Sequence, residues 1–291
     1  MTLGRRIGHA VELAGLLVLI GLFRAMPIDW ASAVGGWLGR TIGPRLGISR
    51  RAARNLARAM PENSAAENGR IILGMWDNLG RTVAEYPHLP AICDARSGRI
   101  EVVNGGAVTE LAHDGRPGII FGGHFANWEV GPYTLRRLLG APLTSVYRAP
   151  NNPWIEPVLN RLRRAPDRIA KGSEGGRHLM RLLKGGGHVG ILVDQKLNDG
   201  IAVPFFGRDA MTAPAVARFG LRFDCPLVPV NAERLGGARF RVTVGAPIEL
   251  ASTGDTERDV HGTMRRINDM LERWVRQRPE QWLWVHNRWP N

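Results

Sequence analysis

Cysteine is scarce: Cys93 and Cys225 are the only two among 291 residues. Two thiols build neither a disulfide framework nor, by themselves, a thiolate metal site. Motifs for several chemistries are missing as well. No Gly-x-Ser-x-Gly elbow presents a serine nucleophile. Gly172-Ser173-Glu174-Gly175-Gly176 lacks the lysine and the spacing of a Walker loop. No His-Glu-x-x-His pair occurs, and no ligand pattern surrounds His178 or His188, so neither metal nor cofactor is expected. Zinc-finger spacings, arginine-rich tails and aromatic nucleic-acid motifs are absent, which removes nucleic acid from the expected partners. Repeats and low-complexity tracts are absent too. Acidic residues are few, with 26 Asp and Glu against 39 Lys and Arg, a net charge of +13. Such an excess favours an anionic membrane or a negatively charged substrate or carrier.

What is present is an ordinary globular composition, 44% apolar and 22% charged, which excludes a disordered chain. The longest apolar stretch runs from Ile7 to Phe23, about the minimum for a spanning helix, and is interrupted by His9 and Glu12. A second, semi-apolar stretch from Pro27 to Ile42 carries Trp30 and Trp37, residues suited to the headgroup level of a bilayer. Ala31-Ser32-Ala33 resembles a signal cleavage site. Arg24 interrupts the path to it, and seven arginines with one acid, Asp29, lie between residues 24 and 58. The expectation is an uncleaved anchor with the following domain on the cytoplasmic side.

Helices are expected over Arg50–Met60 and Asn63–Tyr86 from apolar residues at helical spacing. From Pro117 short apolar runs alternate with helical stretches. Gly118–Phe121, Leu143–Tyr147, Val189–Val193, Leu227–Asn231 and Phe240–Val244 have strand character. Helices are expected over Asn127–Leu139, Pro153–Arg164, Glu174–Leu183, Ala213–Phe223 and Glu257–Gln277. This alternation implies an α/β fold with no linker inside the catalytic region.

The strongest local signal is Gly122-Gly123-His124-Phe125-Ala126-Asn127-Trp128-Glu129, directly after an apolar strand. The glycines let the backbone turn tightly, and His124 emerges at a strand's carboxyl end, where open α/β sheets place their ligand crevices. An imidazole there takes a proton from a hydroxyl near neutral pH if a carboxylate fixes its tautomer, and Glu129, about one helical turn on, is placed to do so. A structural histidine in a loop shows the same spacing. Tyr147-Arg148 and the basic end Arg161-Leu162-Arg163-Arg164 offer guanidinium groups for a phosphate, a carboxylate or an oxyanion. Asp194-Gln195 ends a buried strand and points polar groups toward the same crevice. Val203-Pro204-Phe205-Phe206-Gly207 suits either an apolar wall for an acyl chain or ordinary core.

Together these stretches resemble the bacterial lipid A late acyltransferases, the lauroyl/myristoyl acyltransferase family. The match runs from the apolar N-terminus through Asn55–Pro61, His124–Glu129, Tyr147-Arg148, Asn152-Pro153 and Arg163. It continues through Asp194-Gln195 and Val203–Gly207 to Pro279–Trp284. The resemblance implies acyl transfer from an acyl-carrier-protein thioester to a hydroxyl of an anionic lipid A precursor, at the cytoplasmic face of the inner membrane. It implies His124 as general base and Glu129 as its orienting carboxylate. Arg163 is then an oxyanion- or substrate-stabilising group, with Arg148, Asn127, Asp194 and Gln195 at the substrate. The implied architecture is a glycerolipid-acyltransferase-like α/β domain, a mixed central sheet flanked by helices, over residues 46–291. Residues 1–45 form the membrane-anchoring part. Glycerol-phosphate acyltransferases have aspartate where this chain has Glu129, and their kinship is remote. Acyltransferases of mannosylated phosphatidylinositol share similar motifs and are the enzymatic alternative; a non-catalytic lipid-binding relative and a thioesterase are the others.

Overall fold

A computed structural model of the chain describes residues 2–138, 140, 142–163 and 168–289. Helices dominate the first third: α1 (Leu3–Arg24), α2 (Ile28–Ile42), α3 (Ser49–Ala59), α4 (Ala65–Glu85) and the short α5 (Leu89–Ile92). The α/β part follows as β1 (Ile100–Val103), α6 (Gly106–His113), β2 (Gly118–Gly122), α7 (Val130–Leu138) and β3 (Thr144–Tyr147). Next come α8 (Glu156–Arg163), β4 (Arg168–Ala170), α9 (Ser173–Lys184) and β5 (His188–Leu192). A hairpin of β6 (Lys196–Phe205) and β7 (Arg208–Thr212) precedes α10 (Ala215–Phe223), β8 (Leu227–Gly236), β9 (Arg239–Val244) and α11 (Thr256–Gln277).

Among the described residues α1 is the one helix long and apolar enough to cross a membrane, with a mean hydropathy of 1.7. The two polar residues that interrupt it serve the body of the protein. The Asn152 side chain donates to the His9 carbonyl at 2.9 Å and to the Glu12 carboxylate at 3.0 Å. At the other end of α1 the Phe23 carbonyl accepts from His88 Nε2 at 2.8 Å. α2 lies against α4 with almost no side chain between them: a Cβ on Gly39 would fall 2.0 Å from the Trp76 carbonyl oxygen. This contact turns Trp30 and Trp37 outward, 71% and 56% exposed. α4 starts on a capping box, in which Ser64 and Glu67 satisfy each other's backbone N–H groups.

The seven-stranded sheet has the order β1-β9-β8-β2-β5-β3-β4. β8 and β9 run antiparallel, and every other neighbouring pair is parallel, so the expected mixed α/β sheet is present. β2 is central and buried over its whole length, as a parallel strand covered on both faces must be. Ile119 and Phe121 pack with Val216, Ile267 and Leu271 on one face; Ile120 packs with Val130, Tyr133 and Leu135 on the other. The Val203–Gly207 stretch takes the core alternative. Val203, Phe205 and Phe206 are buried with Trp282, Trp284 and Trp289, away from the cavity described below.

Candidate active site

Strand register brings the chemistry together. β2 and β5 are parallel neighbours in which Gly122 lies opposite Leu192. His124 and Asp194 each stand two residues past that pair, so they leave the sheet side by side. The Val193 N–H donates to the Gly122 carbonyl at 3.0 Å and carries the pairing one step beyond the strand ends.

Asp194 is fully buried and accepts three hydrogen bonds: from the His124 backbone N–H at 2.7 Å, from His124 Nδ1 at 2.7 Å, and from the Trp282 indole at 2.9 Å. Burial alone would raise its carboxyl, but the His124 imidazole and these hydrogen bonds hold it well below the usual carboxylate range. An ionised carboxylate only accepts, so His124 Nδ1 carries a proton and donates it to Asp194, which leaves Nε2 as the ring nitrogen that faces Gln195. Gln195 stands at that nitrogen, its Nε2 at 3.3 Å from His124 Nε2 and 3.3 Å from His286 Nε2. Burial, followed by the charge of His124, lowers His286 to about 4, so this second imidazole is neutral at physiological pH.

Glu129 is not the carboxylate on His124. Residues 124–129 are not helical; α7 begins only at Val130. Ala126 sits in the left-handed region at φ 47°, which turns the chain away from a helical path. Its conformation is held from outside. The Ala126 N–H donates to the Gln281 carbonyl at 2.9 Å, and its carbonyl accepts from Asn78 at 3.0 Å and Thr82 at 3.1 Å. Glu129 therefore meets Arg163 at 2.7 Å and the Tyr86 hydroxyl at 2.8 Å. Burial and the charge of Glu129 push the Tyr86 phenol up, so it stays protonated and donates. Burial opposes the charge of Arg163, but Tyr86 and Glu129 together raise it above its ordinary value.

These groups border a cavity of about 280 Å³. Its apolar lining includes Leu135, Leu143, Val146, Ile191 and Val230. Its polar lining includes His124, Glu129, Tyr86 and Gln195 with five cations, Arg136, Arg148, Arg163, Arg168 and Lys171. The pattern suits a ligand with an apolar chain and an anionic head. No group of three or more metal-ligating side chains occurs among the described residues.

A family model described as bacterial lipid A biosynthesis acyltransferase matches residues 5–291. The chain belongs to that family. The lipid A biosynthesis palmitoleoyltransferase of Escherichia coli (strain K12) is 25% identical over 244 residues, 81% of this chain and 77% of the relative. The lipid A biosynthesis myristoyltransferase of the same organism is 27% identical over 256 residues, covering 85% and 77%. Lipid A biosynthesis acyltransferase 1 of Shigella flexneri is 28% identical over 261 residues, with the same coverages. The protein is thus an acyltransferase of this family, and its apolar α1 fits a membrane location.

Of the residues singled out from the sequence, His124, Glu129, Arg148, Arg163 and Gln195 line the cavity. Asn127 does not: it is fully buried, donates to Glu85 at 2.9 Å and accepts the Glu129 N–H at 3.2 Å. It braces the loop and is not among the residues that line the cavity. Arg164 lies outside the described residues. Residues not foreseen are Tyr86, Arg168, Lys171, Trp282 and His286. Trp282 belongs to the Pro279–Trp284 stretch, and Asn55 of the Asn55–Pro61 stretch donates to the carbonyls of Trp284 and His286 at 2.9 and 2.6 Å. Those two family stretches therefore act as one brace behind Asp194.

Proposed function

We propose that the protein transfers a fatty acyl chain from an acyl-carrier-protein thioester to a hydroxyl of a lipid A precursor, a step of lipopolysaccharide biosynthesis. The observation that carries the proposal is His124 with Asp194 on Nδ1 and its Nε2 beside the cavity-lining Gln195. An acceptor hydroxyl that replaces Gln195 at Nε2 gives up its proton as its oxygen attacks the thioester carbonyl carbon. A C–O bond forms and the carbonyl oxygen becomes an oxyanion. Collapse breaks the C–S bond, and the imidazolium returns the proton to the departing thiolate. Thioester and alcohol become ester and thiol with no change of redox state. Asp194 orients the ring and stabilises the imidazolium. Arg163, held by Glu129, stabilises the oxyanion or the substrate, and Arg148 and Gln195 complete the substrate side.

The apolar outer faces of α1 and the exposed Trp30 and Trp37 support residues 1–45 as the membrane-facing part and residues 46–291 as the acyltransferase domain. The arginine excess after α1 supports placement on the cytoplasmic side of the inner membrane. All three proposed partners, the carrier protein, the anionic glycolipid and the inner leaflet, match the +13 charge.

The test incubates the purified protein with radiolabelled acyl carrier protein and a Kdo-bearing lipid A precursor and identifies the products by mass spectrometry. The expected product is one added acyl ester on the lipid. Free fatty acid released as fast without lipid would make the protein a thioesterase instead. Preferred transfer to mannosylated phosphatidylinositol would assign the other glycolipid.

A further inference from the structure

β3 and β4 form one edge of the sheet, and their register sets Ser145 beside Arg168. Paired residues on parallel strands share a face of the sheet, and both side chains line the catalytic cavity. The Arg168 guanidinium lies 4.2 Å over the Tyr147 ring, and its Nη1 donates to Asn160 at 2.9 Å. Three polar atoms here are buried with no hydrogen-bond partner: Arg168 Nε, Ser145 Oγ and the Nε of the nearby Arg163. Buried donors without acceptors bear the full cost of desolvation and are rare in native proteins. Charge is out of balance in the same place. Glu129 neutralises Arg163, while Arg168 has no carboxylate partner among the described residues. Burial, followed by the field of Arg163, lowers the pKa of Arg168, a guanidinium awaiting a counter-charge. Tyr147 and Asn160 hold it flat and in place, so little order is lost when an anion arrives.

We propose that Arg168, Ser145 and Arg163 form an anion subsite of the catalytic cavity that takes a phosphate group of one of the two substrates. Arg148, Arg163, Arg168 and Lys171 against the lining carboxylate of Glu129 match a phosphate better than a singly charged carboxylate. The inference rests on the acyl-transfer assignment above for what presents the phosphate. It is carried either by the lipid acceptor or by the arm that bears the acyl thioester.

The first test needs no turnover. Full-length protein in detergent is titrated with inorganic phosphate and pyrophosphate, with melting temperature as the readout. Arg168→Gln is expected to weaken binding at least tenfold, and Arg168→Lys to fall between it and the unaltered protein. Ser145→Ala, a smaller change, is expected to weaken binding about threefold and keeps the test open if Arg168→Gln does not fold. Unchanged phosphate binding in Arg168→Gln and Ser145→Ala overturns the subsite. The second test compares KM for substrates with and without phosphate: an acyl carrier protein against an acyl-N-acetylcysteamine, and a phosphorylated against a dephosphorylated lipid acceptor. In one arm Arg168→Gln is expected to change the KM ratio of phosphate-bearing to phosphate-free substrate about tenfold, and that arm names the source. A loss of kcat with both ratios constant overturns the proposal. If the unaltered protein transfers no acyl group at all, the acyl-transfer assignment fails while the titration still decides the subsite.

Discussion

Asp194 holds His124 twice, through the backbone N–H at 2.7 Å and through the ring Nδ1 at 2.7 Å. One carboxylate thus fixes both the position of the residue and the tautomer of its ring. Glu129, the carboxylate within the same sequence motif, is spent on Arg163 and Tyr86.

This division of labour sets a rank order. Asp194→Asn leaves the space filled but allows the wrong ring tautomer, a change that costs about 10⁴-fold in serine-protease triads. A loss of 10³-fold or more in kcat is expected here. Glu129→Gln loosens Arg163 and is expected to cost about 10- to 100-fold, with a larger share in KM. Steady-state transfer assays on the two variants check the order, and a greater kcat loss in Glu129→Gln would reverse it.

The Trp282 indole donates to the second oxygen of Asp194 at 2.9 Å. Trp282→Phe keeps most of the apolar volume but removes that donor from a buried carboxylate. The expected cost is about 1–3 kcal/mol of stability, read from denaturant midpoints, with a fall in transfer rate.

Gly123 is required by crowding at the same place. A Cβ there would lie 2.6 Å from the Phe125 ring and 3.2 Å from Asp194 Oδ2. Gly123→Ala is expected to displace the pair and lower kcat at least tenfold, at about 1–3 kcal/mol of stability. Unchanged kcat in a folded Gly123→Ala protein would show that the loop relaxes freely.

His286 gives the fold a pH dependence. Its folded pKa of about 4 lies below the ordinary 6.5, so between these values the unfolded chain binds a proton that the folded protein refuses. Stability is full above about pH 6.5 and falls as the pH drops toward 4. Between pH 7.5 and 5 the expected loss is about 2 kcal/mol. His286→Asn should remove that share of the slope in urea unfolding, and an unaltered slope would assign it to other groups.

Much of this was legible locally. The strand before Gly122, the amphipathic α4 and α11 and the alternating elements around them follow from periodicity within single segments. The unforeseen elements are those without such a pattern. β1 and β4 are short edge strands of four and three residues. The β6–β7 hairpin mixes polar residues with a proline. The His124–Asp194 contact joins residues 70 positions apart and depends on the register of β2 with β5, which no local spacing encodes. Glu129 was misplaced because its five-residue distance from His124 reads as about one helical turn, whereas the helix starts only at Val130. The left-handed Ala126 is imposed by Asn78, Thr82 and Gln281, each remote in sequence.

The most direct measurement is a cycle of His124→Ala, Asp194→Asn and the double variant in radiolabelled acyl transfer to the lipid precursor, with folding verified by melting temperature. Groups that act as one unit lose their effect once, not twice. The expected result is a loss of about 10³-fold or more in His124→Ala that still leaves a measurable residual rate, with the double variant no slower than His124→Ala alone. Full activity in His124→Ala, or losses that multiply in the double variant, would contradict it.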